Sequence, residues 1–416
     1  MRVKENKVAR GSIRTVMKHQ MSYSGTKVPG FFYAENTTKK LSENTKYGIL
    51  KVTQIPVDEH RIWFFQYTVK RIWRMIMETR LQEKCDLFIK NREAISKKFP
   101  FEKSLMKAAA ALIFTGVGKE ADVERLGECR KLLAKRKGAF STFRAVVELP
   151  LLTRLALSED PEQCLEDVIA VNKRLQKGKI FDNAYIILAA ILICDQGKSD
   201  RVDEVIEKYN GLFKRMDKKH PFLTSDEDLS YAALMALSYR DTDLILKDME
   251  ECYSYLKKTC KLGASSNALQ GLSELFAMTD GNHQEKCERI AALYKLLKEK
   301  KAEVSDGTEF TSFGPLAEID AAPEVLADEI VEADAYLEEN KVFSSSSDKK
   351  TRLMIAAILV SQSYGIVSPA AGNTFITGSL ELIKAGQTAL MVNIILNVAP
   401  SMLSSCSKKE EEPATE

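Results

Sequence analysis

Histidine is scarce in this chain and its cysteines are unpaired. Four histidines, His19, His60, His220 and His283, are scattered over 416 residues, whereas a protein metal site needs three or four ligands. The pair His283 and Cys287 has helical spacing but no second pair near it, so it reads as a surface histidine beside a packed cysteine. Eight cysteines stand at Cys85, Cys129, Cys164, Cys194, Cys252, Cys260, Cys287 and Cys406, with no CxxC among them. Most fall at apolar positions of helical patterns, where a free cysteine behaves as a small hydrophobe. The expectation is reduced thiols in a cytoplasm, with no disulfide and no metal. GxSxG, HExxH and GxGxxG are all missing, which removes the enzyme classes that carry those motifs, and no cofactor is expected. Strand-like alternation is missing after residue 77.

Charge of one sign is also lacking. The formal net charge is +3, yet residues 1–76 hold 15 Lys/Arg against 5 Asp/Glu, leaving 46 against 53 for the remainder. A mildly acidic body lacks the concentrated basic face that phosphate affinity needs, so nucleic acid is not an expected partner of residues 77–416. What the chain does have is 45% apolar and 29% charged residues, the composition of a folded protein.

The apolar residues repeat. A run ending in a small polar residue recurs as Leu112-Ile113-Phe114-Thr115, Leu155-Ala156-Leu157-Ser158, Leu192-Ile193-Cys194-Asp195, Met235-Ala236-Leu237-Ser238, Phe276-Ala277-Met278-Thr279, Ala317-Glu318-Ile319-Asp320 and Ile358-Leu359-Val360-Ser361. The spacing, roughly 41 residues, is that of helical-pair repeats. Each run reads as the end of a very apolar helix. An amphipathic helix follows, as in Ile245, Met249, Cys252, Tyr253 and Leu256, which share one face. Ser199-Asp200 and Asp241-Thr242-Asp243 supply N-caps. Lys214-Arg215, Lys257-Lys258 and Lys298 lie where a helix dipole favours cations. A helical pair cannot bury its apolar faces alone, so the expected product is an all-α solenoid of about seven helical hairpins over residues 77–368. Residues 369–406 read as a Gly/Ser-containing break and a terminal capping helix. The part at 380–403 is where any membrane contact would be made, though it is short for a span. Residues 407–416 read as a disordered charged tail.

Candidate binding residues fall in the inter-unit loops, where rigid arrays place function. His220, Asp226 and Asp228 belong to the longest loop, with helix capping by Thr224 or Ser225 as the plainer role. Asn267 and Gln270 follow the turn Gly263-Ala264-Ser265-Ser266, which could hold an anion at a helix start or simply cap it.

The runs Arg125-Leu-Gly-Glu-Cys-Arg-Lys-Leu-Leu, His220-Pro-Phe-Leu-Thr-Ser, Ala233-Leu-Met-Ala-Leu-Ser and Gly263-Ala-Ser-Ser-Asn-Ala-Leu-Gln resemble a bacterial family known as domain of unknown function 4003. The resemblance covers about residues 80–400. It implies a bacterial, cytosolic, helical protein and brings no catalytic residues with it.

Three roles remain open. The first is a non-catalytic scaffold that offers a concave surface to a protein or peptide. The second is an enzyme in which the pairs close into an α/α toroid with carboxylates in a central cavity. The third is a membrane-peripheral protein using its C-terminal helix. Residues 1–76 are basic and hold both tryptophans, Trp63 and Trp73. Trp73-Arg74 can be encoded by a ribosome-binding TGGAGG placed six nucleotides before the codon of Met77, so the expectation is a native start at Met77; the alternative is a disordered basic arm that binds nucleic acid or anionic membrane. The first amphipathic helix is expected over Leu81–Phe99.

Overall fold

No residue between Pro56 and Pro100 is glycine or proline, and nothing there interrupts a helix. The computed structural model accordingly begins helix α1 at Glu59 and runs it to Lys98, well ahead of the expected Leu81. The structure describes residues 59–136, 141–177, 184–195, 201–219, 228–238, 240–341 and 349–364, with side chains from residue 79 and, within the helix that starts at 141, from 148. The unit Met1–Arg61 lies almost wholly outside these residues; apart from the first turn of α1, the described helices belong to the unit Ile62–Glu416. The expected capping helix, the 380–403 membrane segment and the charged tail also lie outside the described residues.

The described residues are all helical. After α1 come α2 (Ser104–Gly116), α3 (Val123–Lys135), α4 (Ser141–Leu157), α5 (Pro161–Leu175), α6 (Ala184–Asp195) and α7 (Val202–Lys219). Then follow α8 (Asp228–Leu237), α9 (Thr242–Lys258), α10 (Ser266–Ala277), α11 (His283–Glu299), a 3-10 segment (Thr308–Glu318), α12 (Pro323–Glu339) and α13 (Lys349–Ser363). The recurring polar residues of the sequence sit at or within three residues of the C-terminal ends of α2, α4, α6, α8, α10, the 3-10 segment and α13. Asp241 caps α9 as the sequence suggests, Ser199-Asp200 lies outside the described residues, and three further helices are capped in the same way. Asp122, Asp160, Asp241 and Asn282 accept hydrogen bonds from the first free amides of α3, α5, α9 and α11.

Two kinds of helix alternate. α1, α3, α5, α7, α9, α11 and α12 are amphipathic: α9 buries Ile245, Met249, Cys252 and Leu256, and α11 buries Cys287, Ile290, Leu293 and Leu297 in the same phase. The intervening elements have no exposed side in their central parts. All ten residues of α8 are buried, as are Ala268–Ala277 of α10, Ile186–Ile193 of α6 and Phe310–Ala317 of the 3-10 segment. An element buried on every face belongs to the interior layer, with the amphipathic helices outside it. Each fully buried leucine there adds about 1.5–3 kcal/mol of transfer free energy.

Pairing differs from the sequence reading in one respect. An apolar helix and the amphipathic helix after it, joined by a short turn, were the expected pair. The most extensive packing instead joins an outer helix to the inner element that follows it in four units, α5 with α6, α7 with α8, α9 with α10 and α12 with α13, whereas α11 packs most closely with α12. The longer connection lets the two helices lie antiparallel along their whole length. The sixth inner element departs from α geometry because Gly314-Pro315 lies within it, and proline clashes with the carbonyl four residues before it. The glycine has a second role. A Cβ at Gly314 would overlap the Leu275 side chain, and one at Gly271 would stand 2.9 Å from Thr311 Cγ2. These two glycines let α10 and the 3-10 segment touch.

Inner elements contact one another in chain order from α2 to α13, and outer helices do so from α3 to α12. The two ends then meet. Tyr336 Oη of α12 donates to Asp86 Oδ1 of α1 at 2.6 Å, and Gln362 Nε2 of α13 donates to Leu112 O of α2 at 3.2 Å. An open superhelix keeps its first and last pairs apart; here they touch.

Candidate functional site

The ends where inner elements finish and outer helices start are the turn edge, and the ends where outer helices finish and inner elements start are the loop edge. By chain position Asp228, Asn267 and Gln270 fall at the loop edge. His220 and Asp226 lie outside the described residues. Asp228 opens α8 and is buried, 5% exposed. Asn267, in the first turn of α10, is exposed, whereas Gln270 is 6% exposed. Residues three apart in sequence are thus separated by burial. A partner reaches Asn267 directly and does not reach Gln270.

Around Asn267 the loop edge is braced. Ser265 caps α10 by accepting from Ala268 N at 3.2 Å, so capping is what the Gly/Ser turn does. Its own amide donates to Asp306 O at 2.7 Å, tying two successive connections together. Asp306 accepts from Tyr294 Oη and pairs with Lys298 at 2.9 Å. Those hydrogen bonds, Tyr294 first, hold its carboxyl below the usual carboxylate range.

Beneath lies a buried polar group that the sequence reading missed. Glu274 is completely buried, and Gln270 Nε2 donates to its Oε1 at 3.0 Å. Gln270 Oε1 has no partner among the described residues. Tyr231 Oη of α8 and the Thr311 side chain both lie within 3.5 Å of the point a Cβ on Gly271 would occupy. Polar side chains of three inner elements therefore gather one turn below the loop edge. A glutamate inside the run Ala268-Leu-Gln-Gly-Leu-Ser-Glu-Leu-Phe-Ala, on a helix with no exposed face, was the available signal.

The turn edge uses its charges differently. Lys84 of α1 donates to Thr115 O at 2.8 Å, and Arg125 of α3 to Ser158 O at 2.6 Å. Lys208 of α7 donates to Ser238 O at 2.7 Å and Arg240 O at 2.6 Å. Arg289 of α11 donates to Ala317 O at 3.1 Å and Ala321 O at 2.7 Å. These cations satisfy the last carbonyls of an inner element, which have no partner inside it. Successive members are about 41 residues or twice that apart, the same period as the apolar runs. Lys286, 6% exposed, adds bonds to Thr279 Oγ1 at 2.6 Å and Asp280 O at 2.8 Å and an ion pair with Glu318 at 2.9 Å.

His283 and Cys287 do not converge. The His283 ring contacts Thr279 O at 3.0 Å and lies 3.7 Å from Asp248, while the Cys287 thiol faces Cys252 O at 4.0 Å. No group of three or more metal-ligating side chains occurs among the described residues. The contact with Cys252 and burial push the Cys287 thiol up, and burial pushes Cys85 up to about 12. Thiols so held stay protonated and unreactive. No described helix is long and apolar enough to cross a membrane.

A family model described as Protein of unknown function (DUF4003) matches residues 91–389. No curated protein and no solved structure matches the chain.

Proposed function

Since the chain belongs to the DUF4003 family, we propose that it is a non-catalytic interaction protein: seven helical pairs closed into a ring that meets a protein or peptide partner at its edge. The observation that carries this is the burial of the inner layer on every side. Chemically capable side chains such as Glu274 and Asp228 are withdrawn from solvent, and what faces other molecules is the outer surface and the two edges. Closure replaces the concave groove of an open array with a rim. The braced platform of Asn267, Ser265 and Asp306 is the rigid, exposed part of that rim, and rigid surfaces lose little entropy on binding. Seven described cysteines are free thiols, which supports a reducing, cytoplasmic setting.

The test is affinity capture from the native host with the full chain and with Asn267→Arg as baits. A protein retained by the first and lost by the second, with helical circular dichroism unchanged, supports the reading. Identical capture by both baits overturns it. A second reading, an α/α-ring enzyme, is favoured by the meeting of the two ends and by Glu274 beside Gln270. Turnover of a metabolite mixture by the wild type that Glu274→Gln abolishes would put that reading first.

A further inference from the structure

Outer helices end on the loop edge, and the ends of α1, α3, α5, α7 and α9 are basic. Residues 97–103, 135–136, 173–177, 214–219 and 257–261 hold fifteen Lys/Arg against two acids, Glu102 and Asp217. Each cation alone is what a helix C-terminus favours. Five of them, Lys98, Arg136, Arg174, Arg215 and Lys219, pair with acids of the next outer helix. The remaining ten make no ion pair among the described residues. The five ends are equivalent positions of successive units, so these charges recur from unit to unit as an arc along the loop edge.

A helix dipole does not explain Phe101. It stands in the turn between α1 and α2 and is 100% exposed. The turn that presents it is fixed from three elements. Lys107 Nζ donates to Pro100 O at 2.8 Å, Arg92 Nη2 to Ser104 Oγ at 2.9 Å, and Arg130 pairs with Glu102 while its guanidinium lies 5.0 Å over the Phe99 ring. Of the bracing cations Arg130 is paired with Glu102 and Glu148, so the collar around the ring owes its positive charge to Arg92 and Lys107. Burial and the neighbouring Arg92 hold the Lys107 amine below its ordinary value, a crowding that an anion alongside would relieve.

We propose that the loop-edge arc from α1 to α9 is a docking surface for an anionic lipid bilayer, with Phe101 entering the headgroup region. An aromatic ring on a rigid tip among lysines suits an interface that is apolar beneath and negative above. The arc spreads over five helix ends as a rim, not a groove that would track a phosphate backbone, which favours a bilayer over nucleic acid. The proposal goes beyond partner binding at Asn267 and leaves that platform free.

Vesicle flotation of the full chain tests it, using phosphatidylcholine alone and phosphatidylcholine with phosphatidylserine at a third of the lipid. Binding to the anionic vesicles only, fading as salt is raised, is expected. Phe101→Ala should weaken it about tenfold, and Lys257→Glu/Lys258→Glu/Lys261→Glu by at least as much, while Glu324→Gln on α12, outside the arc, leaves it unchanged. Every substituted position is exposed, so circular dichroism should match the wild type. Equal binding to both vesicle types, no binding to either, or anionic binding that survives both loop-edge variants overturns the proposal. So does retention of polyuridylate without vesicle binding, which assigns the arc to nucleic acid.

Discussion

The two edges of the array carry similar residues put to opposite uses. On the turn edge, Lys84, Arg125, Lys208 and Arg289 are turned inward onto carbonyls that end the inner elements. On the loop edge, Lys97, Lys257, Lys258 and Lys261 are turned outward and exposed. The difference lies in where the inner elements stop. An inner C-terminus offers unpaired acceptors and draws a cation in, whereas an inner N-terminus offers donors and draws Ser265 or a carboxylate. Charge on one edge is therefore part of the fold, and on the other it is available to something else.

Substitutions break or sharpen that contrast. Leu234, fully buried between the two edges, sets the upper limit. Leu234→Asp places an uncompensated carboxylate in the interior and should cost several kcal/mol; a melting temperature equal to wild type would remove α8 from the core. Lys286→Met comes next, since it takes the buried cation from Glu318, which keeps Thr279 Oγ1, and a donor from the Asp280 carbonyl. A loss of about 3–5 kcal/mol in urea unfolding is expected. Arg289→Ala leaves the Ala317 and Ala321 carbonyls without this donor, while Ile319 O keeps the Ala321 amide, for about 1–3 kcal/mol. If Arg289→Ala costs no more than Lys257→Ala, the inward cations hold nothing and the contrast fails.

The loop edge should be far less sensitive. Asp306 titrates below its ordinary 3.8 when folded, so its share of stability is present above that value and is lost as pH falls through the depressed folded value. Asp306→Asn should flatten the acid limb of a stability-against-pH curve, by under about 1 kcal/mol because the carboxylate is half-exposed. Lys257→Gln/Lys258→Gln should lie within about 0.5 kcal/mol of wild type. A larger loss in thermal unfolding would show that these lysines also serve the fold.

Much of this was legible because helical burial leaves a period. Thr115, Ser158, Ser238 and Thr279 marked the inner ends correctly, and Asp241 the start of α9. Three things were not legible. Contact between Tyr336 and Asp86 depends on how each pair is rotated against the next, and small angles summed over the chain are not written in any local pattern. The 3-10 segment was readable from Gly314-Pro315, but the apolar run Ala317-Glu318-Ile319 outweighed it. Asn267 and Gln270 were grouped because they are three apart and share a helix face, while Asn267 stands in the exposed first turn of α10 and Gln270 lies one turn deeper in the packed layer. Asp228 and Glu274 show the same limit: polarity marks a residue, and only packing decides whether a ligand can reach it.

The bond from Tyr336 to Asp86 and that from Gln362 to Leu112 each span 250 residues of chain. In a linear array the terminal pairs fray independently, because each is held by one neighbour only. Joined ends have no such free terminus, so opening any one pair means breaking two interfaces, and unfolding becomes a single event. The same contacts delay assembly. As the polypeptide leaves the ribosome, α1 and α2 wait with one flank uncovered until α12 and α13 have been made, and closure over so long a separation is entropically slow.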